Sequence, residues 1–215
     1  MKPIEGKFLR DYSLLDLATE KVRDVWPNQP RPWAQTVLKK DTSSAESHFL
    51  YTLAKEQGPG NYADLGCLLG GSSATMAHAL EETAGGIIYA VDYFGDGPVG
   101  EDVSANMRAP RAIQRYFEKT FSKVALRICK GSTAEHASLI HEKFQGIFID
   151  AGHDYENCKQ DFELWGPKVA VGGWVAFHDT NFLGVDQVIR EVDPKKWKLI
   201  KHVYSTKAYR KVRAS

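Results

Sequence analysis

From Ser44 onward the chain alternates short apolar runs, rich in β-branched and aromatic residues, with stretches of helical periodicity. A parallel sheet flanked by helices requires that alternation. The ending breaks the pattern. Trp197–Tyr204 and Ala208–Arg213 both read as strands, but the turn between them is too short for a parallel crossover, which takes roughly a dozen residues. They must pair antiparallel. The predicted fold class is α/β: a doubly wound, seven-stranded, mostly parallel sheet with a C-terminal antiparallel hairpin, Rossmann-like in design.

Strands are predicted over 61–66, 86–92, 124–129, 145–150 and 172–178, and helices over 72–83, 111–120, 133–142, 155–165 and 184–192. An earlier helix starts at the cap-like Ser43-Ser44-Ala45-Glu46, carries Phe49, Leu50, Leu53 and Ala54 at helical spacing, and stops at Gly58-Pro59-Gly60. Residues 44–215 read as one domain, preceded by an N-terminal helical or lid segment over 1–43. A length of 215 residues suits a single core of good size. A net charge of +1 offers no electrostatic case for nucleic acid as a partner. Cys67, Cys129 and Cys158 show no disulfide spacing, which suits a reducing compartment. With no signal-peptide pattern and no apolar run approaching ~20 residues, a cytoplasmic protein without a membrane partner is expected. Whether it is a homo-oligomer stays open.

The functional signal begins at Asp64-Leu65-Gly66-Cys67-Leu68-Leu69-Gly70-Gly71-Ser72-Ser73, a glycine-rich turn between a strand and a helix. Glycine there lets a backbone approach a nucleotide-like ligand closely. Asp92 ends the next strand, where a carboxylate can accept the hydroxyls of a ribose. The spacing is D-x-G-x-x-x-G-G, with Leu68 where a dinucleotide turn (G-x-G-x-x-G) places glycine.

Ligands of such sheets gather at the carboxyl ends of the strands. This chain places Lys130-Gly131-Ser132 after strand three, Asp150-Ala151-Gly152-His153-Asp154 after strand four, and His178-Asp179-Thr180-Asn181 after strand five. One reading has Asp150 and Asp179, with His178 or Asn181, hold a divalent cation: Mg²⁺ on oxygen ligands alone, Mn²⁺, Fe²⁺ or Zn²⁺ with imidazole. A second has His153 or His178 act as general base, oriented by Asp154 or Asp179. A third is structural, with Asp150 capping the next helix and His178 a packed strand residue.

Together, the Asp64–Ser73 turn with Asp92 resembles motif I of class I S-adenosylmethionine (SAM) methyltransferases. The run FIDAGHDYENCKQDFELWGPKVAVGGWVAFHDT resembles the strand-four to strand-five block of small O-methyltransferases of the catechol, caffeoyl-CoA and antibiotic-sugar types. The resemblance implies a SAM site shaped by Asp64, Gly66, Gly70, Asp92, Ser132 and Asp150. It implies a catalytic edge of Asp150, His153 and His178, and a metal set of Asp150, Asp179 and His178. In those families an Asp-Asn or Asp-Asp pair ends strand five; here His178 precedes Asp179 and Thr180 follows it, so metal-dependent and metal-free routes both stay open. The implied reaction is methyl transfer to a hydroxyl of a small aromatic or sugar-like acceptor, and a non-catalytic SAM-binding protein is the alternative.

Several further residues carry expectations. Glu46 and Ser44 either cap their helix or reach the methionine end of SAM. Cys67 reads as a small filler rather than a nucleophile. Residues 93–110 read as a lid and 22–33 as aromatic walls, with Arg108 and Arg111 available to an anionic group. The basic run Lys195, Lys196, Lys198, Lys201, Lys207, Arg210, Lys211 and Arg213 reads as the solvated face of an edge hairpin.

Overall fold

The computed structural model describes residues 44–94 and 109–214. Helix α1 (Ser44–Gln57) leads into β1 (Gly60–Leu65), α2 (Gly71–Glu81), β2 (Gly86–Asp92), α3 (Ala109–Thr120) and β3 (Val124–Lys130). Then come α4 (Thr133–Leu139), β4 (Phe144–Ile149), α5 (Tyr155–Trp165), a 3-10 turn (Gly166–Lys168) and β5 (Val169–Phe177). The chain ends with α6 (Leu183–Arg190), β6 (Trp197–Val203) and β7 (Thr206–Lys211). The seven strands lie in the order β3-β2-β1-β4-β5-β7-β6. The first five are parallel, and β7 slots antiparallel between β5 and β6.

This order sets the site. The chain steps from β1 outward to β2 and β3, then crosses back to lay β4 on the other side of β1. The carboxyl ends of β1 and β4 therefore flank the switch point, where a crevice opens in folds of this kind. The ladder runs one residue past each strand: Gly66 N donates to Val91 O, Asp150 N to Leu65 O, and His178 N to Ile149 O. Gly66, Asp150 and His178 thus end their strands in register.

Period-two alternation sends successive strand residues to opposite faces. Tyr62, Ile88, Phe148 and Trp174 pack with α1, α2 and α3, whereas Ala63, Ile147, Ile149, Val175 and Phe177 pack with α5 and α6. Each fully buried Ile, Val or Phe side chain among these contributes about 1.5–3 kcal/mol.

Boundaries differ from expectation in three instructive places. The fifth strand starts at Val169 rather than 172, because Gly172-Gly173 is an irregularity within it: Gly172 takes φ +89° and the β4–β5 register shifts there. The helix after Ser132 stops at Leu139 rather than 142, since Ile140 turns extended and buries its side chain. The last strand is Thr206–Lys211, and the edge position belongs to β6. Lys211 is not part of a solvated face; it is 2% exposed. Its Nζ donates to Gly166 O, Pro167 O and Val169 O, pinning the 3-10 turn to the hairpin.

No helix among the described residues is long and apolar enough to cross a membrane. The proposed walls over 22–33, the lid segment apart from its ends, and Arg108 lie outside the described residues.

Candidate functional site

The turn after β1 is held by its own acids. Asp64 is fully buried and accepts hydrogen bonds from Ser72 Oγ and Ser73 Oγ, both on Oδ2. Its Oδ1 has no hydrogen-bond partner. Burial, partly offset by those two serines, pushes the carboxyl up to about 7. Asp92 Oδ2 accepts from Leu68 N at 2.9 Å and Oδ1 from Phe94 N at 2.7 Å. Leu68 and Phe94 both adopt left-handed backbone (φ +46° and +50°), so Asp92 clamps two strained residues at once.

The glycines of the turn are also required by the packing of the chain on itself. A Cβ on Gly66 (φ +87°) would meet Asp150 O at 2.4 Å, and one on Gly70 (φ +81°) would meet the Ile113 side chain. Both are required for left-handed backbone and close packing of protein on protein. Gly66 brings the β1 turn directly against the end of β4. Cys67 is buried, and burial raises its thiol well above the ordinary value, in keeping with a filler.

Across the crevice, four chemistry-bearing residues converge. His178 Nδ1 donates to Asp150 Oδ1 at 2.9 Å and lies 3.4 Å from Asp179 Oδ1. His153 Nε2 lies 3.0 Å from Asp179 Oδ2 and 3.8 Å from Asp150 Oδ1, out of line for a hydrogen bond but within ion-pair range. One atom each from Asp150, His153 and Asp179 falls within 4.8 Å of the others, a grouping that could hold a metal ion. His178, predicted alongside the two acids, sits behind them with its side chain 1% exposed, while His153 shares their open side at 38%. Asp179 has φ +52°, and the four left-handed non-glycine residues among those described (Leu68, Phe94, Asp179, Tyr204) all lie along this edge of the sheet.

The charges support one another. The carboxylates of Asp150 and Asp179 hold the His153 imidazole up to about 9. Burial opposes a charge on His178, yet hydrogen bonding to Asp150 and Asp179 carries it up to about 10. The same pairing, with His153 first and His178 second, holds Asp179 well below the usual carboxylate range.

Other expectations resolve into particular places. Asp154, offered as an orienting acid, caps α5: Oδ1 accepts Asn157 N at 3.0 Å and Oδ2 accepts Asn157 Nδ2 at 2.7 Å. Asp150 is therefore not the cap, and Asp179 is the acid that reaches His153. Ser132 caps α4 by accepting Glu135 N, beside Gly131, whose N–H donates to Asp92 O. Asn181 is exposed. Glu46 turns to the hairpin, where Oε1 accepts from Ser205 N and Oγ and from Thr206 Oγ1, and it lies 3.7 Å from His178 Nε2.

Sequence reading passed over Phe182. Its ring, 47% exposed, stacks on His153 with centroids 4.8 Å apart and planes at 23°. The available signal was an aromatic placed just after His178-Asp179-Thr180-Asn181, where no helix cap or core position demands one.

The profile of a family described as a methyltransferase domain matches residues 63–180, more than half of the chain. No curated protein sequence gives a significant match. Among solved structures, the fold is similar to that of the SAH-bound O-methyltransferase from Bacillus cereus, with TM-score 0.58 at 19% identity, covering 95% of this chain and 94% of that one. It is similar to apo CalS11, a TDP-rhamnose 3'-O-methyltransferase of calicheamicin biosynthesis (TM-score 0.55, 17% identity, 77% and 76% covered). It is also similar to an rRNA methylase from Streptococcus thermophilus (TM-score 0.54, 13% identity, 77% and 96% covered). At these identities the likeness speaks to fold, and one fold carries sugar and RNA acceptors alike.

Proposed function

The chain belongs to the methyltransferase-domain family, and from that premise we propose that it transfers the methyl group of SAM to a hydroxyl of a small molecule. The observation that carries this reading is the convergence of Asp150, His153 and Asp179 beside the Asp92-clamped turn, on the two sides of the β1–β4 crevice. A protein that only bound SAM would have no use for that acid–imidazole edge.

The turn side suits the cofactor. Each Asp92 oxygen accepts one backbone N–H and keeps acceptor capacity for a ribose hydroxyl. The buried, unpartnered Asp64 Oδ1 supports a cationic ligand group at this strand end, directly or through a water. The β4–β5 side suits the acceptor. Displacement at a sulfonium methyl needs alignment and a deprotonated nucleophile, which are what the protein has to supply. The half-exposed Phe182 ring beside His153 offers a flat wall for an aromatic or sugar ring. The free cysteines fit a cytoplasmic setting.

The donor set Asp150, His153 and Asp179 fits a divalent cation with mixed oxygen and imidazole ligands, the class that includes Mn²⁺, Fe²⁺ and Zn²⁺. When bound, such an ion lowers the pKa of an acceptor hydroxyl. A metal-free reading, with His153 as general base, draws on its exposed edge and its contact with Asp179. The paired carboxylates favour the imidazolium form of His153, which has no lone pair for a proton or for a metal ion, so either route requires that ring proton to leave first.

Calorimetric titration of SAM into chelator-treated protein, with NAD as control ligand, tests the premise. Saturable SAM binding is expected; SAM binding no tighter than NAD overturns the proposal. A panel of phenolic and sugar acceptors, assayed with chelator and with added Mg²⁺ or Mn²⁺, then separates the two routes. Turnover that survives chelation selects the imidazole base.

A further inference from the structure

Val203 pairs with Thr206, so Tyr204 and Ser205 alone make the turn between β6 and β7. Tyr204, the first of the two, takes φ +50°. Hairpins of this length ordinarily place glycine or asparagine where φ is positive, because a bulky side chain is strained there. The other three left-handed non-glycine residues have evident local reasons: Leu68 N and Phe94 N both donate to Asp92, and Asp179 pairs with His153. Tyr204 has no such reason. Its side chain is 75% exposed and enters no hydrogen bond, ion pair or ring contact among the described residues. A strained aromatic that adds nothing to packing is the mark of a functional position.

The turn is held firmly at the edge where the site lies. β7 runs antiparallel to β5 with Lys207 opposite Phe177, which sets the turn at the carboxyl end of β5. Ser205 O accepts from Thr180 N at 2.9 Å, next to Asp179, and Ser205 N and Oγ donate to Glu46 Oε1 at 2.9 and 2.6 Å. Phe182, whose N–H donates to Asp179 O, stacks on His153, and Leu183 after it is 88% exposed. From the His153–Phe182 stack to the hairpin turn, this edge therefore presents three exposed side chains with apolar surface: Phe182, Leu183 and Tyr204.

We propose that Tyr204 is a specificity-determining residue of the acceptor site, and that its ring receives the flat apolar face of the acceptor's ring. This rests on the methyl-transfer reading and adds to it a second aromatic contact, on the far side of Asp179 from His153. An aromatic ring held on a fixed turn contributes contact area with few rotors to freeze, and stacks on another ring face. The backbone strain is then the cost of holding that ring in solvent, where only an acceptor covers it.

Tyr204→Gly removes the ring and relieves the strain together, so a recognition role and a packing role predict opposite changes in stability. The full chain, with S-adenosylhomocysteine filling the cofactor side, is titrated with 2-naphthol and with methyl rhamnoside by saturation-transfer NMR, and thermal unfolding is recorded alongside. Binding of at least one probe is expected, the tighter of the two naming an aromatic or a sugar ring as the source of the apolar face. Tyr204→Gly should weaken that probe by about three- to tenfold, the range of one ring contact, while the melting temperature rises by about 2–4 °C. Tyr204→Asn, which tolerates the same backbone, should weaken it alike. Leu139→Ser, which removes an exposed apolar side chain from the end of α4, should leave it unchanged. Neither probe binding, affinity unmoved in Tyr204→Gly, an equal loss in Leu139→Ser, or a melting temperature that falls in Tyr204→Gly each overturns the proposal. SAM titration of the same samples tells the two failures apart: absent SAM binding in the unsubstituted chain removes the methyl-transfer reading, whereas unmoved probe affinity beside normal SAM binding removes only the role of Tyr204.

Discussion

The two sides of the crevice are assembled in opposite ways. On the β1–β2 side the working contacts are local. Asp64 reaches serines eight and nine residues on, and Asp92 reaches back 24 residues to Leu68 across one strand–helix–strand unit. On the β4–β5 side, His178 meets Asp150 across 28 residues, and Glu46 meets Ser205 across 159. The first side is one supersecondary unit that shapes its own turn. The second also contains one strand–helix–strand unit, β4–α5–β5, but its Glu46 contact forms only once the hairpin is in place and α1 has packed beside it. The two sides are joined by the β1–β4 ladder, which ends with Asp150 N on Leu65 O, and by the close approach of Gly66 to Asp150; beyond that seam a substitution on either side should be felt mainly there.

The largest expected effect belongs to the assembled side. Asp179→Asn keeps a residue that tolerates left-handed backbone while removing the charge that pairs His153. Turnover should fall by ~10²–10⁴-fold, the range of a lost proton-transfer or charge-positioning group. The affinity for SAM, read by calorimetry, should stay nearly unchanged. A matching loss of SAM affinity would break the division between the two sides.

Asp92→Ala should produce the complementary result at smaller size. Removing hydrogen bonds from a charged acceptor costs about 1.5–3 kcal/mol each, so SAM affinity should weaken by roughly 10- to 100-fold. The pairing of His153 and His178 with their acids should survive, and ring-nitrogen NMR checks that directly. Disturbed imidazole signals in Asp92→Ala would show the two sides to be one cooperative unit.

The smallest effect, and the sharpest separator, is pH. On the local side, Asp64 is raised to about 7 by burial, so the folded state favours its neutral form. Its contribution to stability is full below the unfolded carboxyl value of about 4 and fades as pH rises through about 7. On the assembled side, His153 and His178 are raised to about 9 and about 10. Their contribution is full below the unfolded imidazole value of about 6.5 and fades as pH rises through those folded values. Asp179, lowered by the same pairs, contributes above about 4 and loses its part as pH falls. Melting temperature against pH should therefore show two descending windows. Asp64→Asn should flatten the lower one, and Asp179→Asn should shrink the upper one. A single substitution that erased both windows would contradict the two-sided picture.

Much of this protein was legible before any coordinates. The strand–helix alternation, the antiparallel ending, the turn at Asp64–Ser73 and the candidates Asp92, Asp150, His153, His178 and Asp179 all come from local pattern and from the rule that ligands sit at strand ends. Those signals are short-range, and short-range propensity and periodicity are what a linear sequence encodes most directly. The division of labour among the candidates was not legible. That His153 rather than His178 shares the open side, that Asp154 is spent on a helix cap, and that Lys211 is buried under three carbonyls depends on which strands become neighbours and in what register. Glu46 shows the limit most plainly. Its position in the chain suggests a helix cap, and only the closing of the sheet by β7 sets its carboxylate between a hairpin turn and the ring of His178. Burial and charge pairing are properties of the packed whole, so the tertiary structure alone decided which of the residues named by the sequence face the crevice and which hold the others in place.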